Sequence, residues 1–98
     1  MTRDAVIARA HAYFDDADGY WADLARRVAI PTECQKPERL PVLYQYLEEE
    51  MRPCFEAIGY TCRVYDNPME GMGPALLATR IEDKSLPTIL GYGHGDVV

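Results

Sequence analysis

Cysteine, tryptophan and histidine are scarce in this chain, contributing three, one and two of its 98 residues. Cys34, Cys54 and Cys62 are an odd set spaced by 20 and then 8, matching neither an even disulfide framework nor a paired zinc-knuckle pattern. They read as reduced, structural thiols. Positive charge is also short: ten Lys and Arg stand against sixteen Asp and Glu, a net charge of −6. Such a field repels phosphate backbones and anionic lipid, so neither nucleic acid nor membrane is an expected partner. No run approaches the roughly 20 apolar residues of a membrane helix, and the opening residues lack the uninterrupted apolar stretch of a secretory signal. A soluble cytoplasmic protein is expected.

The apolar share of 48% and charged share of 27% are those of a folding chain. Ninety-eight residues make one domain near the lower end of the usual size range and exclude two full ones. From Ala5 to Val28 the apolar positions, among them Val6, Ala10, Tyr13, Phe14, Trp21, Leu24 and Val28, fall mostly three or four apart, which predicts helix. Asp18-Gly19 interrupts the pattern, so one bent helix or two consecutive ones are expected, with Asp18 as cap of the second. Pro31 ends this region, and residues 31–38 read as a loop. A second helix is predicted from about Pro41 to Ile58. Its apolar stripe is Leu43, Leu47, Met51, Phe55 and Ile58, and Glu48, Glu49, Glu50 and Arg52 mostly face water. Pro53 should kink it near Glu49 to Glu50, and Gly59 should stop it.

After Gly59 the period changes to 2. Tyr60 to Asp66 alternates as a strand, with Tyr60, Cys62, Val64 and Asp66 on one side; residues 67–74 form a loop, and Ala75 to Ile81 is a second strand. Glu82 to Leu86 reads as a polar turn. Thr88 to Gly93 is an almost wholly apolar run, the pattern of a third strand buried on both faces of a sheet. The expected class is therefore α/β, two amino-terminal helical segments followed by three strands. A strand of that kind needs neighbours and covering helices, and only five residues follow Gly93, so residues 1–98 are expected to be the leading part of a longer protein. The alternative is a small α+β domain whose last strand is an edge.

His94 and Asp96 follow the apolar run two apart, so in extended backbone both project to the same side at the carboxyl end of a strand, where open α/β sheets place ligands. Gly93 and Gly95 remove bulk around the histidine. A neutral imidazole ligates transition metals, and a carboxylate behind it can fix its tautomer and raise its basicity. Other chemistry-bearing residues read as ordinary: His11 as a surface histidine, Cys34 as a thiol without catalytic surroundings, Glu48 to Glu50 as a solvated helix face, and Trp21, Tyr44 and Tyr46 as core or boundary aromatics.

Five stretches carry a resemblance: Val28-Ala29-Ile30-Pro31-Thr32-Glu33, Leu47 through Tyr60, Asp66-Asn67-Pro68, Gly73-Pro74-Ala75-Leu76-Leu77-Ala78, and above all Leu86-Pro87-Thr88-Ile89-Leu90-Gly91-Tyr92-Gly93-His94-Gly95-Asp96-Val97-Val98. In that order they resemble the zinc exopeptidases and amidohydrolases of the acetylornithine deacetylase, succinyl-diaminopimelate desuccinylase, aminoacylase and glutamate carboxypeptidase family, the twentieth metallopeptidase family. The resemblance implies the start of a three-layer zinc-exopeptidase catalytic domain, with the rest of that domain and an inserted dimerisation domain lying beyond Val98. It implies two divalent metals, usually zinc with cobalt or manganese possible, and a small peptide or N-acyl amino acid as substrate. It assigns His94 as a metal ligand and Asp96 as the catalytic-site carboxylate that orients it, and it allows a homodimer. The bridging aspartate, the paired glutamates, a further acidic ligand and the closing histidine of the family have no counterpart here. A catalytic zinc takes three protein ligands plus water, so these residues alone are expected to bind metal weakly and to hydrolyse nothing. The competing expectation is a non-catalytic acidic interaction module that keeps part of the fold.

Overall fold

The computed structural model describes residues 1–97, so Val98, the last residue of the resembling stretch, lies outside the described residues. Two compact units divide the chain, one from Met1 to Ile30 and one that begins at Pro31.

In the first unit, helix α1 (Arg3–Asp15) starts on Thr2, whose hydroxyl accepts the Ala5 N–H at 3.2 Å, and Asp4 places negative charge in the positive first turn. Asp16 is extended and ends it. The Asp16 carboxylate accepts the Asp18 N–H at 3.0 Å, so the cap of the following segment is Asp16, two residues earlier than expected. A carboxylate at that position reaches a backbone N–H that Asp18, itself inside the turn, cannot satisfy. The wide turn Ala17–Trp21 carries the break at Gly19 (φ −93°, ψ −111°), where a Cβ would stand 2.6 Å from the Tyr13 carbonyl oxygen. Helix α2 (Ala22–Val28) follows, with Asp23 in its first turn and Arg26 and Arg27 in its last. Phe14, Tyr20 and Trp21 pack ring against ring at centroid distances of 5.1 to 5.6 Å, yet Trp21 remains 54% exposed and is not a core residue.

The second unit opens with the loop 31–36, a 3₁₀ turn (Pro37–Arg39) and α3 (Leu40–Gln45). The helix then widens into a π-helical segment (Tyr46–Met51) before α4 (Arg52–Glu56). The distortion falls where Pro53 requires it: its ring cannot tolerate the Glu49 carbonyl in an ordinary helical bond and offers no N–H to it. Widening the turn also rotates the helix face. Glu50, expected to face water, is therefore buried at 8% exposure, while Leu43, Leu47, Met51 and Phe55 are half-buried and Ile58 is exposed.

The stop at Gly59 has an explicit geometry. Its N–H donates to Glu56 O and the Tyr60 N–H to Phe55 O, both at 3.1 Å, while Gly59 adopts φ +91° and the Phe55 and Tyr60 rings meet at 5.4 Å. Those two bonds and that contact define a Schellman cap. Strands β1 (Thr61–Tyr65) and β2 (Ala75–Thr79) pair antiparallel with Cys62 opposite Ala78 and Val64 opposite Leu76. These four turn toward the helical side, as the period-2 pattern predicts for Cys62 and Val64. Arg52 ties helix to sheet, donating to Cys62 O at 2.8 Å while holding Glu48 at 2.6 Å.

Mixed α and β structure is present, but among the described residues the sheet has two strands, not three. The turn before the expected third strand forms, with Leu86 N–H donating to Asp83 O at 3.1 Å. Thr88 to Gly93 nevertheless has no regular structure, and Ile89, Leu90 and Tyr92 are 93%, 90% and 92% exposed. An apolar run of this kind becomes a strand only when backbone lies alongside it and side chains cover both faces. The two short strands and the helical side described here supply neither. No helix of the described residues is long and apolar enough to cross a membrane.

Candidate functional site

His94 and Asp96 come together, although they follow an irregular segment and not the end of a strand. His94 Nδ1 lies 2.6 Å from Asp96 Oδ1, with the two side chains 71% and 39% exposed. The His94 contact, followed by the Asp96 backbone N–H, holds the Asp96 carboxyl below the usual carboxylate range. An ionised carboxylate only accepts, so the ring nitrogen facing it carries the proton and the lone pair of the neutral imidazole sits on Nε2. That is the arrangement in which a carboxylate presents a histidine to a metal. The Tyr92 ring stands beside the imidazole at a centroid distance of 6.2 Å.

The backbone around this pair is held by a loop whose Thr32 lies 63 residues before Gly95 in the chain. The Thr32 hydroxyl donates to Gly95 O at 2.5 Å, and the Val97 N–H donates to Thr32 O at 3.1 Å. Thr32 is 1% exposed, the most deeply buried side chain described. Cys34 reaches the other Asp96 oxygen, with Sγ 3.6 Å from Oδ2. Gly95 is drawn so close to Tyr46 that a Cβ there would overlap three atoms of the Tyr46 side chain. Next to Thr32, Glu33 pairs with Lys36 and, at 3.0 Å, with Arg39, and the Lys36 contact first among these keeps its carboxyl below the ordinary value.

Thr32, Cys34, Gly95 and Tyr46 therefore surround the pair; of these the sequence pointed to Gly95 as the place of close approach, and not to Thr32, Cys34 or Tyr46 as supports. Thr32 and the His94 segment did belong to two of the resembling stretches, which was the available signal. Glu50, by contrast, is buried away from any reading made of it. None of the three cysteines is in a disulfide, and burial pushes the Cys62 thiol up, in keeping with a structural thiol. An open cavity lined by Gly59, Thr61, Thr79, Arg80 and Ile81 contains neither member of the pair.

As a metal site the residues described are partial. His94 offers one well-oriented nitrogen, but among the described residues no three His, Cys, Asp or Glu side chains gather as a metal-binding group. A complete zinc centre does not fit these residues; one ligand and its orienting carboxylate do. No family of proteins, curated protein or solved structure matches this chain in comparison.

Proposed function

We propose that this chain is the amino-terminal part of a dinuclear metal-dependent hydrolase that cleaves an amide or peptide bond of a small peptide or N-acyl amino acid. In this reading His94 is a metal ligand through Nε2, and Asp96 orients it. The observation that supports it most is the 2.6 Å contact between His94 Nδ1 and Asp96 Oδ1. That contact leaves the ligating nitrogen on the far side of the ring. A second support is that the stretches around Thr32 and His94, which resemble the same family, bond to each other at Thr32. When bound, a metal pair supplies an acidified water and a polarised carbonyl. The part played by these residues is confined to presenting and holding one imidazole.

Two preparations test the reading. The product of the uninterrupted reading frame is expected to retain divalent metal, to hydrolyse N-acyl amino acids or dipeptides, and to lose both properties on His94→Ala. The 98-residue chain is expected to release zinc on dialysis and to show no turnover. Stoichiometric zinc kept by the short chain overturns the claim that it is an incomplete centre. A full product indifferent to chelator and to His94→Ala overturns the hydrolase.

A further inference from the structure

We infer that Thr32 is a positioning residue for the His94 imidazole, acting through the backbone on either side of Asp96. This role deepens, and its functional meaning rests on, the reading of His94 as a ligand. The two bonds that Thr32 makes straddle a single residue. Its hydroxyl takes the carbonyl of Gly95, immediately before Asp96, and its carbonyl takes the N–H of Val97, immediately after, at 2.5 and 3.1 Å. Asp96 is thereby fixed between two anchors supplied by one side chain and its own backbone.

Among the described residues, Thr32 supplies the backbone bonds on both sides of Asp96. Residues 87–97 lie outside regular structure, so no ladder of strand bonds fixes their direction. The His94 side chain is 71% exposed, and its ring neighbour Tyr92 is itself 92% exposed, so packing holds it loosely. The Cys34 thiol is exposed, and a sulfur donor at 3.6 Å is a weak partner. Thr32, in contrast, is 1% exposed, and a hydroxyl taken that far from water is tolerated when its bond is made. Orientation thus passes from the buried hydroxyl to the Gly95 peptide, from there to the Asp96 carboxylate, and from that to the ring. Gly95 is the link through which it passes, because its missing side chain lets the backbone lie against Tyr46.

Valine has the shape of threonine without the donor, so Thr32→Val removes the bond and keeps the volume, while Thr32→Ser keeps the bond. The test reads the His94 ring directly, by long-range ¹H–¹⁵N spectra of the 98-residue chain near pH 8, above the ordinary imidazole range of about 6.5. His11, exposed on α1, is the internal standard for an unconstrained ring. Wild type and Thr32→Ser are expected to show His94 as a single tautomer protonated on Nδ1. Thr32→Val is expected to lose that pattern and move to the averaged pattern of His11, while β1 and β2 amides keep their protection from exchange. A purely structural role for Thr32 would lower the melting temperature and leave the tautomer of the folded chain unchanged, which overturns the inference. An averaged His94 ring in wild type overturns it as well. Should Thr32→Val unfold the second unit, Val97→Pro deletes the other anchor at a half-buried position and must itself average the ring. Added Co²⁺ separates this inference from the function. Coupling of Thr32 to the ring, with His94 no more sensitive to Co²⁺ than His11 in the full reading-frame product, supports the positioning role and sinks the ligand reading.

Discussion

Gly95 lies where any side chain would enter the volume of the Tyr46 ring, so its neighbours His94 and Asp96 depend on a residue that has no chemistry of its own. Gly95→Ala is expected to destabilise the second unit by about 1–3 kcal/mol, the usual cost of forcing atoms into an occupied space. Combining it with Tyr46→Leu should recover part of that loss, and a double-mutant cycle of melting temperatures checks the coupling. One loop away, Glu33 makes a different prediction. Its folded carboxyl titrates below the ordinary value because of Lys36 and, to a lesser degree, Arg39. The unfolded chain therefore takes up the proton first as pH falls, and the stabilisation, complete above the ordinary carboxylate pKa of about 4.3, is lost as pH drops through the folded value. Thermal melts between pH 6 and 3 should show this loss, and Glu33→Gln should flatten that part of the profile, as should added salt. At this scale the pair and the glycine beside it were legible in the sequence, but Thr32 and Tyr46 were not. His94 and Asp96 are neighbours in the chain, whereas Thr32 and Tyr46 reach them only through folding, and no periodicity encodes that meeting.

Elements were legible where a local rule determines them. The change from helical spacing to period 2 after Gly59 places β1 with Cys62 and Val64 inward, and the Schellman bonds at Phe55 and Glu56 stop the helix where a glycine can take φ +91°. Gly59→Ala is expected to cost about 1–2 kcal/mol, from the left-handed backbone alone. The nearest atom to its new Cβ, Arg80 Nε at 3.5 Å, is an ordinary contact. A chemical denaturation curve with an unchanged slope and a lower midpoint is the expected result, and a changed slope would contradict it. Rules of spacing failed where the helix itself changed pitch. Pro53 announced a distortion, but a stripe counted at 3.6 residues per turn cannot anticipate that the widened segment Tyr46–Met51 turns Glu50 inward. The third strand failed for another reason. Apolar content specifies a preference for burial, while strand formation needs a partner backbone, and a preference in one segment does not create its partner.

At the scale of the molecule, that unmet preference leaves the three most exposed large apolar side chains among the described residues. Leu86, Ile89, Leu90 and Tyr92 lie on one short stretch at 55%, 93%, 90% and 92% exposure, directly before the His94 pair. Consecutive exposed apolar residues with strand propensity are a site of self-association. In the 98-residue chain, replacing Ile89 and Leu90 by Lys changes side chains that are 93% and 90% exposed and breaks the apolar run. Light scattering on heating should fall, and the melting temperature should move little, since exposed substitutions usually change stability by less than about 0.5 kcal/mol. If residues 88–93 are the buried strand of a longer catalytic domain, the same two substitutions place charges in an apolar interior, and the product of the uninterrupted reading frame should fail to fold or to accumulate. The prediction thus has opposite signs in the two contexts. Tolerance of the double Lys variant in both would leave the apolar run without a structural purpose and remove the sheet on which the proposed centre depends. Benefit in the short chain with collapse of the long one would tie the exposed run, and the imidazole that follows it, to structure that the longer chain provides.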